Sequence, residues 1–187
     1  MPKTICSKED WLKLGLLRFA KSGPTALIIE KMASTLGCAK TSFYNYFGNR
    51  ERYIDEIIEF WVQYTTHHVG KKLNEIESPL EKLKFLTEYL FSTKEMENFY
   101  FYFRELANEN PNYRRILDEN ELYRMNALSD ILQTLNLTKA NSLMKAEIYY
   151  DYFFGWHDRN KHLSITPGIL RKQFKIISNI LGVPINY

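Results

Sequence analysis

Residues 37–47, GCAKTSFYNYF, crowd reactive polarity and aromatic bulk into one short span. Lys40 carries a positive charge, while Thr41, Ser42 and Asn45 bring groups that both donate and accept hydrogen bonds. Phe43 and Phe47 are four residues apart, so a helix puts them on one face. Burying that face leaves Lys40, Thr41, Ser42 and Asn45 outward, a set suited to phosphate oxygens and base edges. Tyr44 and Tyr46 can rest their rings on protein while a hydroxyl reaches a phosphate. Arg50, three residues beyond Phe47, adds a cation for the same purpose.

No comparable constellation points to catalysis. His67 and His68 are adjacent, so on a helix they point about 100° apart and cannot share a metal. His157 and His162 straddle an expected helix end. Glu147 and Asp151 lie four apart on one face, which suits an acid–base pair but equally a solvated charge pair. The sequence has no glycine-rich phosphate loop, nucleophile elbow or CxxC. The expectation is therefore no enzyme, no catalytic residue, no metal and no cofactor.

These side chains need elements to hold them. Glycine and proline fall between periodic apolar segments, and alternating strand patterns are nearly absent, so the chain reads as all-α. Ser7 is a suitable N-cap for a first helix, with Leu12, Leu16, Phe19 and Ala20 as its buried stripe and Ser22-Gly23-Pro24 as its stop. A second helix is expected over 29–36, with Met32, Ala33 and Leu36 inward, ended by Gly37. A third covers about 40–46. Asn49 caps a long fourth helix that runs to about Gly70. Later helices are read from 79 (Leu80, Leu83, Leu86 and Leu90 inward), across 98–116 with a division at Asn110-Pro111, over 117–135, 139–159 and 167–181. A break is expected at 93–95.

Two short helices joined by a glycine turn form a helix-turn-helix, whose second helix enters the DNA major groove. Charge agrees: residues 1–72 hold 11 Lys and Arg against 7 Asp and Glu, and the remainder 14 against 15. Cys6 and Cys38 have no metal-ligand spacing and fit a reducing cytoplasm. Lys13 and Arg18 interrupt the N-terminal apolar run, which therefore reads as neither a leader nor a membrane span.

With these residues in place, 23–58 resembles the DNA-binding domain of the tetracycline-repressor (TetR) family. The matching features are Met32-Ala33, the turn glycine Gly37, Tyr44-Asn45-Tyr46-Phe47 for the family's YxYF, and Asn49-Arg50-Glu51 opening the fourth helix. The chain departs at Leu27 and Ile28, where the family has a Ser or Thr cap, at a cost of about 1 kcal/mol. It departs again at Ala39, Thr41 and Arg50. The resemblance implies a DNA-binding domain over 1–50 and a helical regulatory and dimerising domain over 51–187, joined by the helix 49–70. It implies a cytoplasmic homodimeric repressor on a pseudo-palindromic operator, released by a small ligand. DNA contacts would fall to Lys40, Thr41, Ser42, Tyr44, Asn45, Tyr46 and Arg50. A pocket for an apolar or aromatic ligand would draw on Tyr89, Phe103, Arg104, Tyr150 and Trp156, and the last two long helices would form the dimer. The alternative is a factor of the same fold that recruits a protein partner and senses no small molecule.

Overall fold

The computed structural model describes residues 6–92, 97–160 and 162–187. Among these, α-helices account for all the regular structure apart from one 3-10 turn, Pro24–Ala26. The helices are α1 (Lys8–Ser22), α2 (Ile29–Leu36), α3 (Lys40–Phe47), α4 (Arg50–Glu75) and α5 (Pro79–Ser92), then α6 (Glu97–Glu109), α7 (Pro111–Thr134), α8 (Lys139–Arg159) and α9 (Pro167–Leu181).

The chain ends its helices where the local chemistry dictates. Ser7 and Asp10 form a reciprocal capping box at the start of α1. Asn49 accepts from the Arg52 N–H at 2.9 Å. Thr138 and Thr166 cap α8 and α9 with their hydroxyls. Gly37 closes α2 in the left-handed region at φ 70°, and Cys38 N–H then returns to Ala33 O at 3.0 Å. A side chain with a Cβ is disfavoured at that angle, so the tight turn into α3 requires the glycine.

Two compact units result. The first holds the described residues up to His68 with α6 and the start of α7, to Arg114; α1 packs on α2, α3 and α6 there. The division expected at residue 50 falls inside this unit, because the first turns of α4 supply part of its core: Tyr53, Ile54, Ile57 and Ile58. The second unit runs from Val69 through α5 and from Arg115 to Tyr187, with α9 packed on α5 and α8. Its core includes Leu83, Phe91, Leu128, Leu132, Tyr149, Phe174 and Ile177.

Several expectations need correction. The buried stripe of α1 is Trp11, Gly15, Leu16, Phe19 and Ala20, and Leu12 is only half-buried. Leu36 is also half-buried, and Leu80 is exposed, since Phe91 and Thr87 join Leu83 and Leu86 on the inner face of α5. The fourth helix reaches Glu75, past Gly70. Residues 111–134 form one helix: Asn110 caps it, accepting from Asn112 N–H at 2.9 Å, and Pro111 occupies the first turn, where no amide hydrogen is needed. The break expected at 93–95 lies outside the described residues.

Candidate nucleic-acid interface

The first unit is organised around α3. Phe43 and Phe47 are fully buried. Phe43 packs edge-on against Trp11 of α1 and Tyr53 of α4, with ring centroids 5.3 and 4.9 Å apart, and Phe47 lies 4.6 Å from Tyr53. Aromatic pairs of this kind add about 0.5–1.5 kcal/mol each beyond area burial. The aromatic cluster therefore seats α3 in one rotation about its axis.

Hydrogen bonds fix that rotation further. Trp11 Nε1–H donates to Ser42 Oγ at 3.2 Å, and the Ser42 hydroxyl donates to Ala39 O at 2.8 Å. Tyr53 Oη–H donates to Trp11 O at 2.5 Å, and burial raises its pKa well above the usual phenol value. Gly15 makes this crossing possible: a Cβ there would stand 2.1 Å from Tyr53 Oη and 2.7 Å from Ile57 Cδ1. The residue before α1 is held as well. Cys6 Sγ donates to Leu36 O at 3.5 Å, and Tyr46 Oη–H donates to Cys6 O at 3.0 Å.

The seven residues expected at a DNA surface thus divide. Thr41, Tyr44 and Asn45 are exposed, and among the described residues none of their side chains takes part in a hydrogen bond. Lys40 is exposed and paired with Glu30 of α2 at 2.8 Å. That pairing holds the Glu30 carboxyl below the ordinary carboxylate range and raises the Lys40 ammonium. Ser42 is turned inward on Trp11, and the Tyr46 hydroxyl is committed to Cys6 O. The Arg50 guanidinium donates to Pro24 O, steadying the 3-10 turn before α2. Neither α2 nor α3 has a side-chain N-cap, consistent with Ile28 and Ala39 at those positions. Sequence reading missed Glu30, Trp11 and Gly15. Glu30 has the one visible signal, a carboxylate in the first turn of α2.

The five ligand-pocket candidates fall in different units. Phe103 is fully buried in the first, 6.1 Å from Trp61, and Arg104 lies exposed over the Tyr100 ring at 5.3 Å. Tyr89, Tyr150 and Trp156 belong to the second. Tyr89 stacks on Phe85, Trp156 meets Phe91 edge-on, and Tyr150 is buried beside Tyr149 and Phe154.

No protein-family model matches the sequence, and no curated protein matches it. Solved structures do. A TetR-family transcriptional regulator from Agrobacterium tumefaciens superposes with a TM-score of 0.75 at 13% identity, over 96% of this chain and 97% of that one. A transcriptional regulator of Aquifex aeolicus aligns at 0.71 with 19% identity, over 92% and 98%. The regulator FadR of Bacillus subtilis, solved with stearoyl-CoA, aligns at 0.63 with 14% identity, over 96% and 98%. The fold is that of the TetR-type transcriptional regulators, an all-α chain with a helix-turn-helix near its N-terminus. Among the described residues, no helix is long and apolar enough to cross a membrane.

Proposed function

We propose that the protein is a sequence-specific DNA-binding regulator, a repressor that binds a pseudo-palindromic operator as a homodimer. The observation that carries this reading is the two-sided character of α3. Its apolar side is locked into the first unit by Phe43 and Phe47, and its other side presents Thr41, Tyr44 and Asn45, whose side chains make no hydrogen bond among the described residues. Lys40 stands at the start of that side. A rigidly seated helix with uncommitted polar side chains is what major-groove readout requires.

Self-association is supported by α8, which leaves Leu143, Met144 and Ile148 exposed at 36%, 49% and 44%. Exposed apolar residues grouped on one helix mark an interaction surface, and two-fold pairing of the same surface is the usual solution. Ligand control is supported by the aromatic interior of the second unit and by fold-level likeness to a regulator solved with stearoyl-CoA. The regulator would be released by a small, largely apolar compound.

The direct experiment is a gel shift and footprint on the duplex upstream of the protein's own gene, over a salt series. The expected result is protection of two half-sites about 34–36 Å apart or a multiple of that, with affinity falling steeply as salt rises. Absence of duplex binding at low salt defeats the proposal.

A further inference from the structure

Cys6 and Cys38 take no part in the proposed DNA surface, yet both lie directly behind it. Each is a free thiol, and they are 4% and 8% exposed. Cys38 comes just before Ala39, the N-cap residue of α3, and Cys6 precedes α1. Cys6 Sγ–H donates to Leu36 O at 3.5 Å, two residues before Cys38. The Cys38 sulfur lies 3.7 Å from Ser42 Oγ, and Tyr46 Oη–H donates to Cys6 O at 3.0 Å. Ser42 and Tyr46 are four residues apart, so they lie one above the other on α3. The two cysteines therefore meet the same face of α3 and the same end of α2. Their thiols are within hydrogen-bonding reach of each other: burial first, and then that contact, push the Cys6 pKa up to about 11.

Two neighbouring thiols have a reaction open to them that a single buried thiol lacks. A sulfenic acid formed on one is trapped by the other as a disulfide before it oxidises further. Cys6 is held protonated at neutral pH and is therefore a weak nucleophile. Cys38, beside the turn at Gly37, is the one that attacks. Its sulfur takes an oxygen from a peroxide: the O–O bond breaks, an S–O bond forms, and the departing hydroxide leaves with the thiol proton as water. The Cys6 sulfur then attacks the Cys38 sulfur, the S–O bond breaks, and the hydroxide released takes the Cys6 proton as a second water. The two thiols lose two electrons, and hydrogen peroxide is reduced to water.

The new bond changes the seat of α3. A disulfide holds its sulfurs about 2.05 Å apart, shorter than any non-bonded contact, so Cys6 and Cys38 must move toward each other. That movement pulls on Tyr46 through Cys6 O, and on Ser42 and its partner Trp11 through Cys38. These are the contacts that fix the rotation of α3. Resting on the DNA-binding reading above, we propose that Cys6 and Cys38 are a peroxide-sensitive thiol pair whose disulfide shifts α3 and releases the operator. In the reduced chain Thr41, Tyr44 and Asn45 keep their register and DNA is held; in the oxidised chain that register is lost.

The test uses the full chain, reduced with dithiothreitol, desalted and then treated with hydrogen peroxide. Intact mass should fall by two hydrogens, and peptide mapping should join the Cys6 and Cys38 peptides within one chain. Affinity for the duplex upstream of the protein's own gene should drop by about fivefold or more, the lower end of a typical coupling between sites, and return with dithiothreitol. Hydrogen exchange over residues 40–47 should quicken in the oxidised chain. Cys6→Ala and Cys38→Ser are each compared with themselves before and after peroxide, so any cost of the substitution cancels, and neither should change its DNA affinity on treatment. Cysteines that stay reduced, pair between two chains or pass to sulfinic acid overturn the inference. A disulfide that leaves both DNA affinity and exchange over 40–47 unchanged overturns it too, as does an equal peroxide response in the single variants. A reduced chain that binds no duplex defeats the regulator reading instead, and the thiol pair then stands or falls on the mass and the exchange.

Discussion

Around α3 the first unit ties its inward polar groups to protein, whereas the second unit leaves two buried ones without a hydrogen bond among the described residues. Around α3, the Trp11 indole, the Ser42 hydroxyl and the Tyr53 and Tyr46 phenols all reach protein acceptors, at 3.2, 2.8, 2.5 and 3.0 Å. In the second unit Asn120 Oδ1 and Ser142 Oγ are buried without a hydrogen bond among the described residues. Closed hydrogen bonds hold a surface in one shape, which suits a helix that must present Thr41, Tyr44 and Asn45 in fixed register. Open ones raise the free energy of the empty state and lower the relative cost of a state in which something completes them. The surface at α3 is thus set by the chain's own hydrogen bonds, and Asn120 and Ser142 of the second unit add none of that kind among the described residues.

The most disruptive way to break the contrast is at Gly15. Gly15→Leu would drive its side chain into the Tyr53 hydroxyl and Ile57, both fully buried in α4. Overpacking a tight crossing costs about 3 kcal/mol. Urea denaturation should show that loss, and the variant should also lose DNA binding, because the crossing that seats α3 moves. Unchanged stability would mean that the α1–α4 contact is not tight.

At the DNA-facing side the contrast runs within one helix. Thr41→Ala or Asn45→Ala should relax preference at particular base pairs, by about 1–3 kcal/mol where a base contact is lost, with the folding midpoint unaffected. Tyr44→Phe should weaken binding on every sequence alike, by about 0.5–1.5 kcal/mol. Ser42→Ala should do the reverse of the first two: it strands Trp11 Nε1–H, lowers stability by about 1 kcal/mol and leaves base preference intact. Binding-site selection on each variant checks the division, which fails if Ser42→Ala changes the selected sequence.

Removing one hydroxyl from each unit sharpens the comparison further. Tyr53→Phe deletes a made bond and should cost about 1 kcal/mol. Ser142→Ala deletes an unmade one and should be neutral or slightly stabilising, since Ser142 Oγ is buried with no hydrogen-bond partner among the described residues. If both variants lose equal stability, Ser142 is partnered in solution and the contrast weakens.

Local signals carried most of the architecture into the sequence. Ser7, Gly37 and Asn49 announce their helix ends through cap and turn chemistry, and the structure uses each of them. Phe43 and Phe47 were legible as the buried face of α3 from spacing alone. What spacing could not show is which distant group a polar residue meets. Ser42 and Asn45 look alike in sequence, and only Trp11, 31 residues away from Ser42, separates them. Gly15 reads as a neutral gap in an amphipathic helix, because its importance lies in a phenol from α4. The unpartnered Asn120 Oδ1 likewise exists only in three dimensions.

The smallest effect concerns the ion pair of Glu30 and Lys40 on the same unit. Both side chains are well exposed, 65% and 51%, so the pair adds little to stability. Its consequence is electrostatic. A carboxylate 2.8 Å from Lys40 offsets the charge that Lys40 would offer a phosphate. Each phosphate neutralised contributes about −0.9 to the slope of log K against log salt. Glu30→Gln should therefore leave the melting curve in place, tighten binding to unrelated duplex, and steepen the salt slope by just under one unit. Operator binding should gain less than unrelated duplex does, because base contacts by Thr41 and Asn45 do not involve this charge. The ratio of operator to unrelated affinity then falls, and Glu30 acts as a brake on sequence-independent binding. Matched salt titrations of wild type and Glu30→Gln on both duplexes decide it. Equal slopes would show that Lys40 already leaves Glu30 on the DNA, or that this edge of α3 does not reach a phosphate.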